Sequence, residues 1–385
     1  MAPWWKLPMA VIASGVLAML PSTGAAARSD DLVRPLTTIH VTVNGVNQDP
    51  SVYDISWVEQ STGRYFLADG TNDAVDRFDA RTDTFTGFLG QGQFHHLTQP
   101  ECLARGASDA HDCNGPDGVV TDSRHRVWAG NGVDATHPVS SIDVMDPTPG
   151  SAVIRSIPTG GKFRSDELAY DPRDQVILIA NPDFNDGFLT WIDVRDLKVI
   201  GTFGYSPTDV NTWGGLEQSV WDPETGLFYQ AVPGVADANG NVITPGEIDV
   251  FSPQPEDGVG QRVAVLSTAG CLNGPTGLTL ANDGRLIGAC DNGGITLGAR
   301  GGHHQGLIPD VGGADEIWFN SGDGNVYFAR TAAGQLGVAD AEEGRFLQNL
   351  PTGVGSHSVA AYAENNHVFV PVNGSGIDVF AAAER

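Results

Sequence analysis

The feature that most constrains this chain is a unit that recurs seven times. A polar residue, usually an acid, opens a short apolar run; a turn built from Asp, Pro, Gly or Asn follows, and a second apolar run ends in a small residue. The copies are YDISWVEQSTGRYFLA (53–68), PDGVVTDSRHRVWA (116–129), DELAYDPRDQVILIAN (166–181), GLEQSVWDPETGLFYQA (215–231), PTGLTLANDGRLIGA (275–289), ADEIWFNSGDGNVYFA (314–329) and SHSVAAYAENNHVFVP (356–371). Starts fall roughly 40–60 residues apart, the spacing of four-stranded propeller blades. Third strands follow in several copies, as SIDVMD (141–146), TWIDVRD (190–196), EIDVFSP (247–253) and GIDVFAA (376–382), and KVIGTFG (198–204) reads as a fourth. The expected fold is all-β: a seven-bladed β-propeller of four-stranded antiparallel blades, with six blades as the alternative count. The last unit ends before a fourth strand, whereas LTTIHVTV (36–43) alternates polar and apolar residues and belongs to no unit. It is expected to complete the last blade and so remove an open sheet edge.

In GSHSVAAYAENNHVFVPVNGSGIDVF (355–380) and DELAYDPRDQVILIAN…TWIDVRDLKVIGTF (166–203) the chain resembles the YVTN/YncE-like repeat propellers of secreted bacterial proteins and, more distantly, SMP-30/lactonase-like propellers. The resemblance spans nearly all of the chain after its leader. It implies architecture rather than activity, because related propellers include lactonases, lyases and pure binding scaffolds.

Residues 1–27 read as a secretory signal, with Lys6, an apolar stretch from Pro8 to Leu20 and cleavage after Ala27. Residues 28–385 then form a single propeller domain, expected outside the cell and monomeric. No later apolar run is long enough to span a membrane. A formal charge of −26 disfavours nucleic acid and anionic lipid, so the expected partner is a small-molecule ligand or an extracellular protein. The four cysteines are expected to pair as Cys102 with Cys113 and Cys271 with Cys290, neighbours in sequence. Without CxxCH, covalent c-type haem is excluded; without a P-loop, so is the usual nucleotide site, and GxSxG and HExxH are also missing. DANGN (237–241) has alternating oxygen ligands but lacks the EF-hand glycine at Val242.

Aligning the units assigns one start residue per blade: Asp54, Asp117, Asp166, Glu217, Thr276, Asp315 and His357, with Glu167 and Glu316 as second acids in two blades. First strands line the axis of a propeller, so these positions are expected to form a ring at one channel mouth. An Asp at a strand start also serves as a local acceptor for backbone amides, the bland alternative for any one of them. Several carboxylates close together raise one another's pKa unless a cation lies among them. Calcium, with its 6–8 oxygen ligands, suits such a ring, and Asp166, Glu217 and Asp315 are the first candidates to hold a divalent cation. Asp166, Glu217 and His357 are candidates to move protons in metal-assisted lactone hydrolysis or lyase-type elimination. A non-catalytic binding or scaffold propeller is the alternative. Loops on the same face contribute an expected pocket rim of His95, His96, Asn131, His137, Asn181, Tyr205 and Trp213.

Overall fold

The computed structural model describes residues 33–107, 111–182, 187–205, 215–236, 242–256, 259–298 and 304–382. The leader (1–27), DANGN and Trp213 lie outside the described residues. Seven four-stranded blades surround one axis, which settles the count against six. Blade 3 shows the design, with strands Leu168–Asp171, Val176–Asn181, Phe188–Asp193 and Lys198–Gly204 in antiparallel order from the axis outward. Its second strand is buried at every residue, while its fourth is largely exposed. A middle strand is covered on both faces by adjacent blades, hence the unbroken run Val-Ile-Leu-Ile-Ala in place of alternation.

The blades are cemented by large side chains between them. Trp191 meets Phe251 edge-on at 5.4 Å between blades 3 and 4, and Trp128 packs with Ile177 and Ile179 between blades 2 and 3. A parallel bridge from Thr202 to Val259 also joins the outer strands of blades 3 and 4 into one sheet. Blade 7, Ala360–Tyr362, His367–Val372 and Gly376–Ala382, receives its fourth strand from the other end of the described chain. That strand is Val33–Ile39 rather than 36–43, running from Val33 opposite Ala382 to Ile39 opposite Ile377. The residues beyond it leave the blade and form a small hairpin, Thr42–Val43 with Val46–Asn47, turned at Asn44-Gly45, both with positive φ. The local alternation is therefore shared by two strands, and only the position of blade 7 decides which part joins it.

Both expected disulfides are present, Cys102–Cys113 with Cα atoms 5.9 Å apart and Cys271–Cys290 with 5.3 Å. Among the described residues no helix is long and apolar enough to cross a membrane.

Near the axis the inner strands approach so closely that a side chain does not fit everywhere. A Cβ on Gly118 in blade 2 would lie 2.1 Å from the carbonyl oxygen of Asp166 in blade 3. The obstacle is backbone, which cannot swing aside. Gly118→Ala should therefore destabilise by about 1–3 kcal/mol in urea denaturation; an unchanged midpoint would show that the two blades can slide apart.

Candidate functional site

Each blade-start residue sits just before or at the head of its inner strand, and the structure brings them together at one mouth of the channel. Asp166 anchors through its own N–H to the Ala180 carbonyl, and Asp117, Glu217, Thr276 and Asp315 make the same bond in their blades. Fixed backbones thus aim these side chains at the axis. Asp117 and Asp166 are buried; Asp54, Glu217, Thr276, Asp315 and His357 are half-buried.

The positive charge at the centre was not anticipated. Arg164, two residues before Asp166, grips Oδ2 of that carboxylate with Nη2 at 2.7 Å and Nε at 2.9 Å. The same guanidinium lies 3.9 Å from Asp117 and donates to His111 Nδ1 at 2.6 Å. Its backbone N–H bonds to Asp112, so the Cys102–Cys113 loop is moored to the mouth through Arg164. Because His111 Nδ1 accepts from arginine, the other ring nitrogen carries the proton.

One arginine does not neutralise the site. Burial pushes the Asp166 carboxyl up to about 6, with Arg164 opposing and Asp54 and Asp315 adding to the rise. Asp117 is held well above the usual carboxylate range, first by burial, then by Asp54 and Asp166 against the pull of Arg164. Glu217 and Asp315 are raised by burial too. Asp54 Oδ2 and Asp117 Oδ2 are buried without a protein donor, and His111 completes a group with them whose ligand atoms lie within 4.8 Å of one another. Two acceptor-only carboxylates facing each other can be held by a shared proton or by a cation.

The remaining ring positions have other partners. Thr276 Oγ1 donates to the Ala314 carbonyl at 2.8 Å, tying blade 5 to blade 6. His357 stacks on Tyr53 at 4.7 Å, and its Nδ1 and Nε2 lie 2.7 Å and 3.0 Å from the carbonyls of Gly355 and Tyr53. Neither nitrogen is left for a substrate or metal. Glu167 and Glu316 sit one residue deeper, where burial above all holds both carboxyls well above the usual carboxylate range; Ser358 Oγ donates to Glu316 Oε2 at 3.2 Å.

The expected rim residues are placed differently from one another. Asn131 is fully buried, accepting from the His95 N–H and donating to Asp143, and Asn181 pins Ser140 to Thr190. Tyr205 packs against Phe203 inside the blade 3–4 core. Asn131 and Asn181 are fasteners whose polar ends meet partners before they can reach solvent, whereas the Tyr205 hydroxyl is buried without a partner. His96 pairs with Asp73 at 2.9 Å. His95 and His137 stack 3.9 Å apart with planes 5° from parallel, beside Asp134. Parallel rings direct their nitrogen lone pairs side by side rather than at one ion, so this trio is a poor chelate as it stands.

No family model matches the chain, and no curated protein matches it either. Among solved structures it is similar to the WD40 β-propeller domain of Doa1, at 12% identity and TM-score 0.60, covering 89% of this chain and 96% of that one. A chain of the mitotic checkpoint complex is similar at 10% identity and TM-score 0.62, covering 98% of this chain and 100% of that one. At such identity the likeness is one of fold.

Proposed function

We propose that the protein is an exported binding propeller of the YVTN-like kind, whose channel mouth takes up a divalent cation and, on it, a small polar molecule. The observation that carries this reading is the buried, donor-free pair Asp54 Oδ2 and Asp117 Oδ2 inside a ring of five carboxyls served by one arginine. Calcium is favoured over a transition metal, since the donors left over are oxygens and His111 is engaged by Arg164. Asp166, Glu217 and Asp315 supply the surrounding negative charge. Two disulfides are consistent with a place outside the cell.

Calorimetric titration of chelator-treated protein with CaCl2 at pH 7.5 should show one site, and Asp54→Asn with Asp117→Asn should abolish it. Burial raises the Asp117 carboxyl, and Asp166 beside it titrates at about 6, so protons compete with the cation and affinity should fall at least tenfold at pH 5. No heat and no thermal stabilisation at millimolar calcium would overturn the proposal.

A second reading, lactone hydrolysis, is favoured by the Asp166 carboxyl titrating close to neutrality. Water would add to the lactone carbonyl, Asp166 would take its proton, and the same proton would pass to the ring oxygen as the C–O bond breaks. Glu217 is the reserve base. Turnover of simple lactones lost in Asp166→Asn, with calcium binding retained, is the result that would separate enzyme from scaffold.

A further inference from the structure

The opposite end of the channel is built of different side chains. Where the inner strands turn outward, a cavity of about 540 Å³ opens, walled by Trp57, Tyr170, Trp221, Trp318 and Phe319 from four blades. Volumes of this order suit small organic ligands. All five aromatics are half-buried, in a protein where Trp128 and Trp191 are wholly enclosed. Three of them have fixed partners: Trp57 Nε1 donates to Thr121 Oγ1 at 3.0 Å, Tyr170 Oη bonds Ser123 at 3.0 Å, and Trp57 meets Trp318 edge-on at 5.3 Å.

The charge of the lining has one sign. Asp222 and Glu224 supply the negative charge of the lining, Glu167 lines it with a carboxyl that burial holds towards its neutral form, and no lysine, arginine or histidine lines it among the described residues. Arg173 stands outside it, over the Trp221 ring at 5.9 Å, and pairs with Asp174. One aromatic of the wall therefore already holds a cation against its π-system.

We propose that this aromatic funnel is a second binding site, distinct from the carboxylate ring, and that it takes an alkylammonium ligand. Aromatic rings attract a desolvated cation through the ring quadrupole, and the acidic lining adds long-range attraction. The alkyl groups would fill the apolar space beside Leu280 and Leu278.

The test uses choline and its neutral isostere 3,3-dimethylbutan-1-ol, followed by tryptophan fluorescence and calorimetry on the full chain. Choline should bind and change the fluorescence, and the isostere should bind at least tenfold more weakly. Trp221→Leu should weaken choline at least tenfold, with Trp318→Leu as a second variant should the first misfold. Asp54→Asn with Asp117→Asn should leave choline affinity unchanged. Equal affinity for choline and the isostere, no choline binding below 10 mM (about −2.7 kcal/mol), or loss of binding only in the Asp54/Asp117 variant would each overturn the proposal.

Discussion

Replacing Arg164 by methionine should cost about 3–5 kcal/mol of stability at pH 7.5, the range seen when one partner of a buried ion pair is removed. The loss arises because Asp166 and Asp117, both buried, lose the guanidinium that pairs with them and are left facing Asp54 and Glu217. The pH dependence identifies the cause. Burial raises these carboxyls in the fold, so between pH 3.8 and about 6 the native state keeps a proton that the unfolded chain has lost. That contribution is present below pH 3.8 and disappears as the pH rises through 6. Moving Asp166 alone from 3.8 to about 6 corresponds to about 3 kcal/mol. The wild-type protein, free of cation, should hence become less stable from pH 5 to pH 7.5, and Arg164→Met should make that fall steeper. Urea denaturation at both pH values checks this. A deficit equal at pH 5 and pH 7.5 would mean that Arg164 acts by mooring the His111 loop rather than by its charge.

Removing residues 1–40 should have an effect of similar or larger size. Val33–Ile39 contributes a full antiparallel ladder to Gly376–Ala382, buries Val33 and Ile39, and accepts a hydrogen bond from Gln348 of blade 6 through the Val33 carbonyl. Ladder bonds at about 1 kcal/mol each and two apolar side chains at about 1.5–3 kcal/mol each together rival the 5–15 kcal/mol that holds an ordinary domain. The truncated chain would also expose the strand Gly376–Ala382 as an unpaired edge, open to another molecule. Size-exclusion chromatography should show oligomers or aggregate, and thermal unfolding should lose its single sharp transition. A monomeric product melting within a few degrees of the full chain would show that blades 1 and 7 hold the ring closed by packing alone, through Tyr65, Phe78 and Phe369.

Blade number, strand order and both disulfides were legible in the sequence because they are set by local chemistry. Val-Ile-Leu-Ile-Ala must be covered on both faces, Asp-Pro and Asp-Gly turns must reverse the chain, and cysteines 11 and 19 residues apart need only short loops to meet. The convergence of Asp54, Asp117, Asp166, Glu217 and Asp315 was legible for the same reason, since equal positions in equal units fall at equal heights around an axis. What those carboxyls meet was decided by tertiary structure. Arg164 lies outside the repeated unit, in a loop with no partner in other blades, and its reach to Asp166, Asp117 and His111 depends on how the disulfide-closed segment folds over the mouth. A sharper reading had one signal available, the single basic residue two places before an inward-facing acid. The expected rim residues Asn131, Asn181 and Tyr205 turn out buried for a related reason: a strand count gives the height of a residue, but the direction of its side chain follows from contacts with neighbouring elements. The aromatic funnel shows the same limit. Trp57, Tyr170, Trp221 and Trp318 stand in the inner strands as ordinary core residues, and only closure of the ring reveals that they border a common space.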